Sequence, residues 1–155
     1  MTGENATSKV VPFSGVVSAP AMTPSLDKKT LKLVENLRDL WIRTQLAGRG
    51  DFDRACLLIA GDESTTVERY ASAFFQGAQI FSRRRLTFFT TKSETVSEDE
   101  MWLARILQAL ESGDYTSARY LIALRIAPDG RRRLMFLAQG LASHLCSNTP
   151  EANRT

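Results

Sequence analysis

The chain of 155 residues has little of what catalytic and metal centres are usually built from. It holds one histidine, His144, and two cysteines, Cys56 and Cys146, with no CxxC pair and no cluster of histidines beside them. Two buried, reduced thiols are the expectation, and neither a disulfide framework nor a metal site is. His144 and Cys146 stand two residues apart, a spacing that points to different faces of a helix, so they make a poor catalytic dyad. No GxGxxG and no GxxxxGK[ST] occurs, which removes the usual phosphate cradles of nucleotide enzymes. No catalytic residue, cofactor or metal ligand is therefore assigned.

Long apolar runs are missing too. Stretches such as Ala55 to Ala60 and Leu121 to Leu124 fall far short of the ~20 residues a spanning helix needs, so no membrane partner is expected. The N-terminus lacks a basic region, and Pro12 and Gly15 interrupt its valines, so it does not read as a secretory signal and the expected compartment is the cytoplasm. Charge of one sign is also modest: 20 Lys and Arg against 17 Asp and Glu leave a net +3, low for a dedicated nucleic-acid binder.

What is present is helical pattern and patched charge. A hydrophobic fraction of 43% and a charged fraction of 24% are those of a globular chain, long enough for one domain. Residues 1–24 hold three prolines and no helical period and read as a flexible arm, and 148–155 as a flexible tail; the single domain spans 25–147. With Ser25 as N-cap, Leu33, Val34, Leu37, Leu40 and Trp41 give a first amphipathic stripe, ended by Gly48 and Gly50. Asp51 caps a short helix whose apolar face is Ala55, Leu58 and Ile59, and Gly61 ends it. Thr65 to Glu68 reads as a capping box for a third helix through Phe74 and Phe81. Ser97-Glu98-Asp99-Glu100 starts the fourth helix; Asp114 caps the fifth; Pro128-Asp129-Gly130 is a turn before a sixth through Leu134, Leu137 and Leu141. Residues 86–91 are β-branched and aromatic. An extended linker is the commoner outcome there, with a short β segment paired to the Val10–Val17 arm or to a second chain as the alternative. The fold class is all-α, with about six helices.

A shift of 63 residues lays the chain on itself. Gly50-Asp51-Phe52 and Ala55 fall on Gly113-Asp114-Tyr115 and Ala118, Leu58-Ile59-Ala60 on Leu121-Ile122-Ala123, and Gln76-Gly77 on Gln139-Gly140. A Gly that ends one helix, an Asp that caps the next and a small Ala at the crossing form one physical device, so its recurrence points to two related three-helix units over about 40–82 and 103–145. Trp102 followed by Gly113-Asp114-Tyr115 and Ala118 resembles the tetratricopeptide repeat pattern over about 25 residues. Arg105 and Ile106 depart from that pattern, and the shift of 63 exceeds its ~34-residue unit. The resemblance implies a TPR-like or bundle arrangement of helical hairpins offering a concave surface to a protein or peptide.

The expected function is a helical adaptor or chaperone-like regulator whose groove is lined by Trp41, Trp102, Tyr115, Tyr120 and Arg119. The alternative is a nucleic-acid-binding regulator that clamps phosphates with Arg83, Arg84, Arg85 and Arg131, Arg132, Arg133. For each triplet the blander reading is a solvated basic helix end. A structural subunit of a larger assembly is a third reading, and a homodimer stays open.

Overall fold

A computed structural model describes residues 26–46 and 50–147; the expected arm at 1–24, the Ser25 cap, Gly48 and the tail at 148–155 lie outside the described residues. The described chain is all-helical: α1 Lys28–Leu46, α2 Phe52–Ala60, α3 Val67–Phe81, α4 Glu98–Glu111, α5 Tyr115–Arg125 and α6 Pro128–Ser147.

The helix starts are set by local side-chain chemistry. The Asp27 carboxylate accepts the N–H of Thr30 at 2.9 Å and holds the first turn of α1. Asp51 accepts from Asp53 and Arg54 ahead of α2, and Asp114 from Ser117 ahead of α5. Ser97 and Glu100 bond reciprocally in a full capping box at α4. The cap of α3 lies one residue later than the Thr65 expectation. Thr66 accepts from Arg69, whereas the Thr65 hydroxyl donates back to the Asp62 carbonyl at 2.8 Å. The expected turn at Pro128-Asp129-Gly130 is instead the first turn of α6, because proline's fixed φ and missing N–H suit a helix start. Gly113, at φ +82°, takes the left-handed conformation between α4 and α5.

No strand forms at 86–91, and the only ladder-type pairing among the described residues is an isolated antiparallel bridge between Ser82 and Ile126. The reason is that the segment's backbone has other partners. Buried carboxylates accept its N–H groups: Asp99 that of Thr87 at 2.7 Å and Glu100 that of Phe89 at 2.6 Å, while Glu35 takes that of Lys92 at 2.8 Å.

Four long helices form the core, in two antiparallel pairs. Along α1 and α4, Lys29 meets Glu111, Thr30 meets Gln108 and Arg38 meets Glu100, so numbering rises on one as it falls on the other. Along α3 and α6 the same holds: Gly140 lies against Tyr70, Gly77 against Leu134 and Gly130 against Phe81. Glycine at these three positions lets the helices and rings approach where a Cβ would collide. The short helices flank these four and add Phe52, Ile59, Ala118 and Ile122 to the core. α2 leans on α3, while α5 packs on both α4 and α6. Leu37, Phe74, Leu103, Ile106, Leu137 and Leu141 are fully buried between the layers, each contributing ~1.5–3 kcal/mol of apolar burial.

Candidate functional site

The residues expected to line one groove are distributed over three environments. Trp102 is buried beneath α5, donates its indole N–H to the Leu121 carbonyl at 2.6 Å and lies under the Arg125 guanidinium. It belongs to the core and offers no groove surface. Trp41 is half-buried, stacked on Phe88 at 4.9 Å and meeting Phe75 edge-on at 5.0 Å. It walls a cleft of about 440 Å³ together with Gln45, Ser82, Arg84, Arg85 and Leu86. Tyr115 stands over a different cleft, of about 420 Å³, with Leu110, Glu111, Gln139, Ala142 and Cys146. Tyr120 is 65% exposed on α5, and Arg119 beside it is exposed with no ion pair among the described residues.

The arginine triplets approach one another around the end of α5, but half of their guanidinium groups already have work inside the fold. Arg83 donates its backbone N–H to the Arg125 carbonyl, and Arg131 donates through its side chain to the Ile126 carbonyl at 2.8 Å, closing the C-terminus of α5. Arg84 pairs with Asp99 at 2.9 Å. Arg133 pairs with Asp53 and lies over the rings of Phe52 and Phe81. Arg83, Arg85 and Arg132 are exposed and make no ion pair among the described residues.

Two features escaped the sequence reading. The first is a buried charge network. Arg38, in the apolar stripe of α1, makes a bidentate contact with the fully buried Glu100 at 2.8 and 2.9 Å, reaches Glu35 at 2.7 Å, and donates to the carbonyls of Ser93 and Thr95. Hydrogen bonds to Glu100 are the main cause that raises the Arg38 pKa above its ordinary value. Beside it, buried Asp99 receives Arg84 and, at 2.8 Å, Arg125, whose Nε is buried without a hydrogen-bond partner among the described residues. The legible signal was Arg38 itself, one helical turn after Val34 on the inward stripe. Glu98, Asp99 and Glu100 share one helix start, but only the last two are buried.

The second feature is an exposed apolar surface on the short helices. Leu57 is 75% exposed and Leu58 more than half exposed, so Leu58 is not on the inward face expected for it; Phe52 and Ile59 are. On α5, Leu124 joins Tyr120 in pointing outward. The signal was the run Leu57-Leu58-Ile59-Ala60, since four consecutive residues of a helix cannot all face one way.

The remaining titratable groups have local roles. Burial pushes the Cys146 thiol up to about 11, and burial also raises Cys56; both are free. A His144 ring nitrogen lies 3.0 Å from the Gly140 carbonyl, with the ring against Tyr70. Among the described residues no group of three or more His, Cys, Asp or Glu is placed to hold a metal ion, and no helix is long and apolar enough to cross a membrane. Compared with known proteins, the chain matches no family model, no curated protein and no solved structure.

Proposed function

We propose that this chain is a helical adaptor or chaperone-like regulator that binds a protein or peptide partner through the outer faces of α2 and α5. The observation that carries this reading is the exposure of Leu57 and Leu58 on α2 and of Tyr120 and Leu124 on α5, where two large apolar side chains stand close together on each short helix; Leu46 and Ile80 are exposed near the ends of α1 and α3. Large apolar groups grouped on short outer helices are typical of surfaces that a partner covers. Tyr115 and Arg119 add the residue types that most often anchor interfaces. The arginine triplets favour nucleic acid less, because Arg84, Arg131 and Arg133 are engaged within the fold.

Affinity capture from lysate, compared across surface variants, tests the reading. Leu57→Asp with Leu58→Asp, and Tyr120→Asp with Leu124→Asp, should fold with an unchanged melting temperature and lose a partner that the parent chain captures. Arg83→Ala with Arg85→Ala should retain it. A partner held equally by every variant, or recovery of nucleic acid with no protein, overturns the proposal. A second copy of the chain, lost on the same substitutions, would identify the partner as itself.

A further inference from the structure

We infer that the cleft between the C-terminal ends of α1 and α3 is a binding site for a small oxyanion, phosphate or carboxylate, carried on an apolar or aromatic body. Trp41 and Gln45, one turn apart on α1, form one wall; Gln79 from α3 and Ser82 just after it form another; Arg84, Arg85 and Leu86 from the connecting segment close it. At about 440 Å³ it falls at the small end of the ~300–1,000 Å³ range of ligand pockets.

The charge on this lining is one-sided. Two arginines line the cleft, and among the described residues no carboxylate does. The nearby Asp99 is buried and shared between Arg84 and Arg125, so it leaves the group as a whole cationic. Arg84 is at the same time half-exposed and tethered: Asp99 accepts from both terminal nitrogens of its guanidinium and the Arg85 carbonyl from one of them, while about half of the side chain, 51%, stays open to solvent. An arginine already held in place loses little freedom on meeting an anion, which is what separates this site from a solvated basic helix end. Arg85 is exposed beside it without an ion pair among the described residues.

The apolar half of the ligand follows from the other walls. Trp41 is braced by Phe88 and Phe75, and Leu86 is buried, so a ring or short aliphatic body entering the cleft meets fixed apolar surface. The connecting segment that supplies the arginines is pinned through the N–H groups of Thr87 and Phe89 to Asp99 and Glu100, so its wall is preformed. A fork of guanidinium donors suits the planar or tetrahedral oxygens of carboxylate and phosphate alike.

The test uses the full chain labelled with ¹⁵N. Its two tryptophans give two indole N–H signals, one from the cleft and one from the core. Phenyl phosphate, benzoate, inorganic phosphate and the neutral benzyl alcohol are titrated in turn at constant ionic strength. Phenyl phosphate or benzoate should move the Trp41 signal to saturation with Kd of about a millimolar, leaving Trp102 unmoved, and whichever binds tighter names the anion. Arg85→Ala should weaken binding about tenfold, while Arg132→Ala, on the exposed side of α6, should not. Inorganic phosphate should bind more weakly than phenyl phosphate, for want of an apolar body. An equal response to benzyl alcohol, no saturable shift with either aromatic anion, or full affinity in Arg85→Ala overturns the inference. The readout does not involve α2 or α5, so its failure is separate from failure of the adaptor reading.

Discussion

In the half built from α1 to α3, Phe52 follows the capping Asp51 and is only 6% exposed, wedged against Gly77 and Phe81 and covered by Arg133 from α6. In the half built from α4 to α6, Tyr115 follows the capping Asp114 and stands 47% exposed over an open cleft. Both Asp residues cap a helix, but the two Gly-Asp turns are not the equivalent turns that the internal repeat leads one to expect: Asp51 accepts from Asp53 and Arg54 and Asp114 from Ser117, Gly113 is left-handed where Gly50 is not, and the aromatic beside each cap has the opposite fate. What differs is the neighbour, since α6 supplies a ring-covering guanidinium to the first half and nothing equivalent covers Tyr115 among the described residues. The outer helices differ in the opposite sense: α5 is held by two long helices and α2 mainly by one.

The largest break in the comparison is expected where the halves are joined by charge. Leu37 and Glu100 stand 63 residues apart, the offset of the sequence repeat, one apolar and one acidic, and both are fully buried. Glu100→Ala removes the bidentate partner of Arg38, leaving it Glu35 and the carbonyls of Ser93 and Thr95, and frees the N–H groups of Ser97 and Phe89, so urea denaturation should show a loss of about 3 kcal/mol. Arg38→Leu combined with Glu100→Leu should recover only part of that, because those two N–H groups stay unpaired.

The turn aromatics give the next effect. Phe52→Ala should cost about 3 kcal/mol in thermal or urea unfolding, and Tyr115→Ala under about 1, a gap that measures how much the covering by α6 contributes. A result in which both substitutions cost the same would dissolve the contrast between the halves.

Glycine sharpens the comparison further. A Cβ at Gly130 would run into the stem of the Phe81 ring, close to the backbone where little can give, so Gly130→Ala should destabilise by about 1–3 kcal/mol. Gly61, at φ −95° with only an ordinary contact at 3.7 Å, should accept alanine at no measurable loss.

Smaller effects follow from titration. Hydrogen bonds from Ser117 hold the Asp114 carboxyl below its ordinary value, and those from Thr30 do the same for Asp27. A carboxyl whose folded pKa is depressed contributes stability that is present above its unfolded pKa and lost as pH falls through the folded value. The urea midpoint should therefore fall on acidification below about pH 4, and Asp114→Asn should flatten that slope. The cysteines offer the mildest test, one in each half. Cys56 should react with a disulfide reagent at pH 8 before Cys146, whose burial keeps it protonated to about 11.

Helix starts were legible because a cap is a local event: Asp51, Ser97 and Asp114 each bond N–H groups two or three residues away. The errors of one residue at Thr65 and of the helical turn at Pro128 arose where two adjacent residues had similar capping chemistry, or where proline suited both a turn and a helix start. The site was far less legible. Trp102 carried the same apolar signal as Trp41, and only the placement of α5 over it decided that one indole is core and the other lines a cleft.

From the sequence alone came the all-helical class, the six helices of the described residues and the caps at Asp51, Ser97 and Asp114, because spacing and hydrogen bonding within a few residues determine them. Only the tertiary structure decided that residues 86–91 need no strand partner, that Arg38 is buried against Glu100, and that Leu57, Leu58, Tyr120 and Leu124 face outward. Each of those outcomes depends on groups far apart in the chain, whose approach no local pattern encodes.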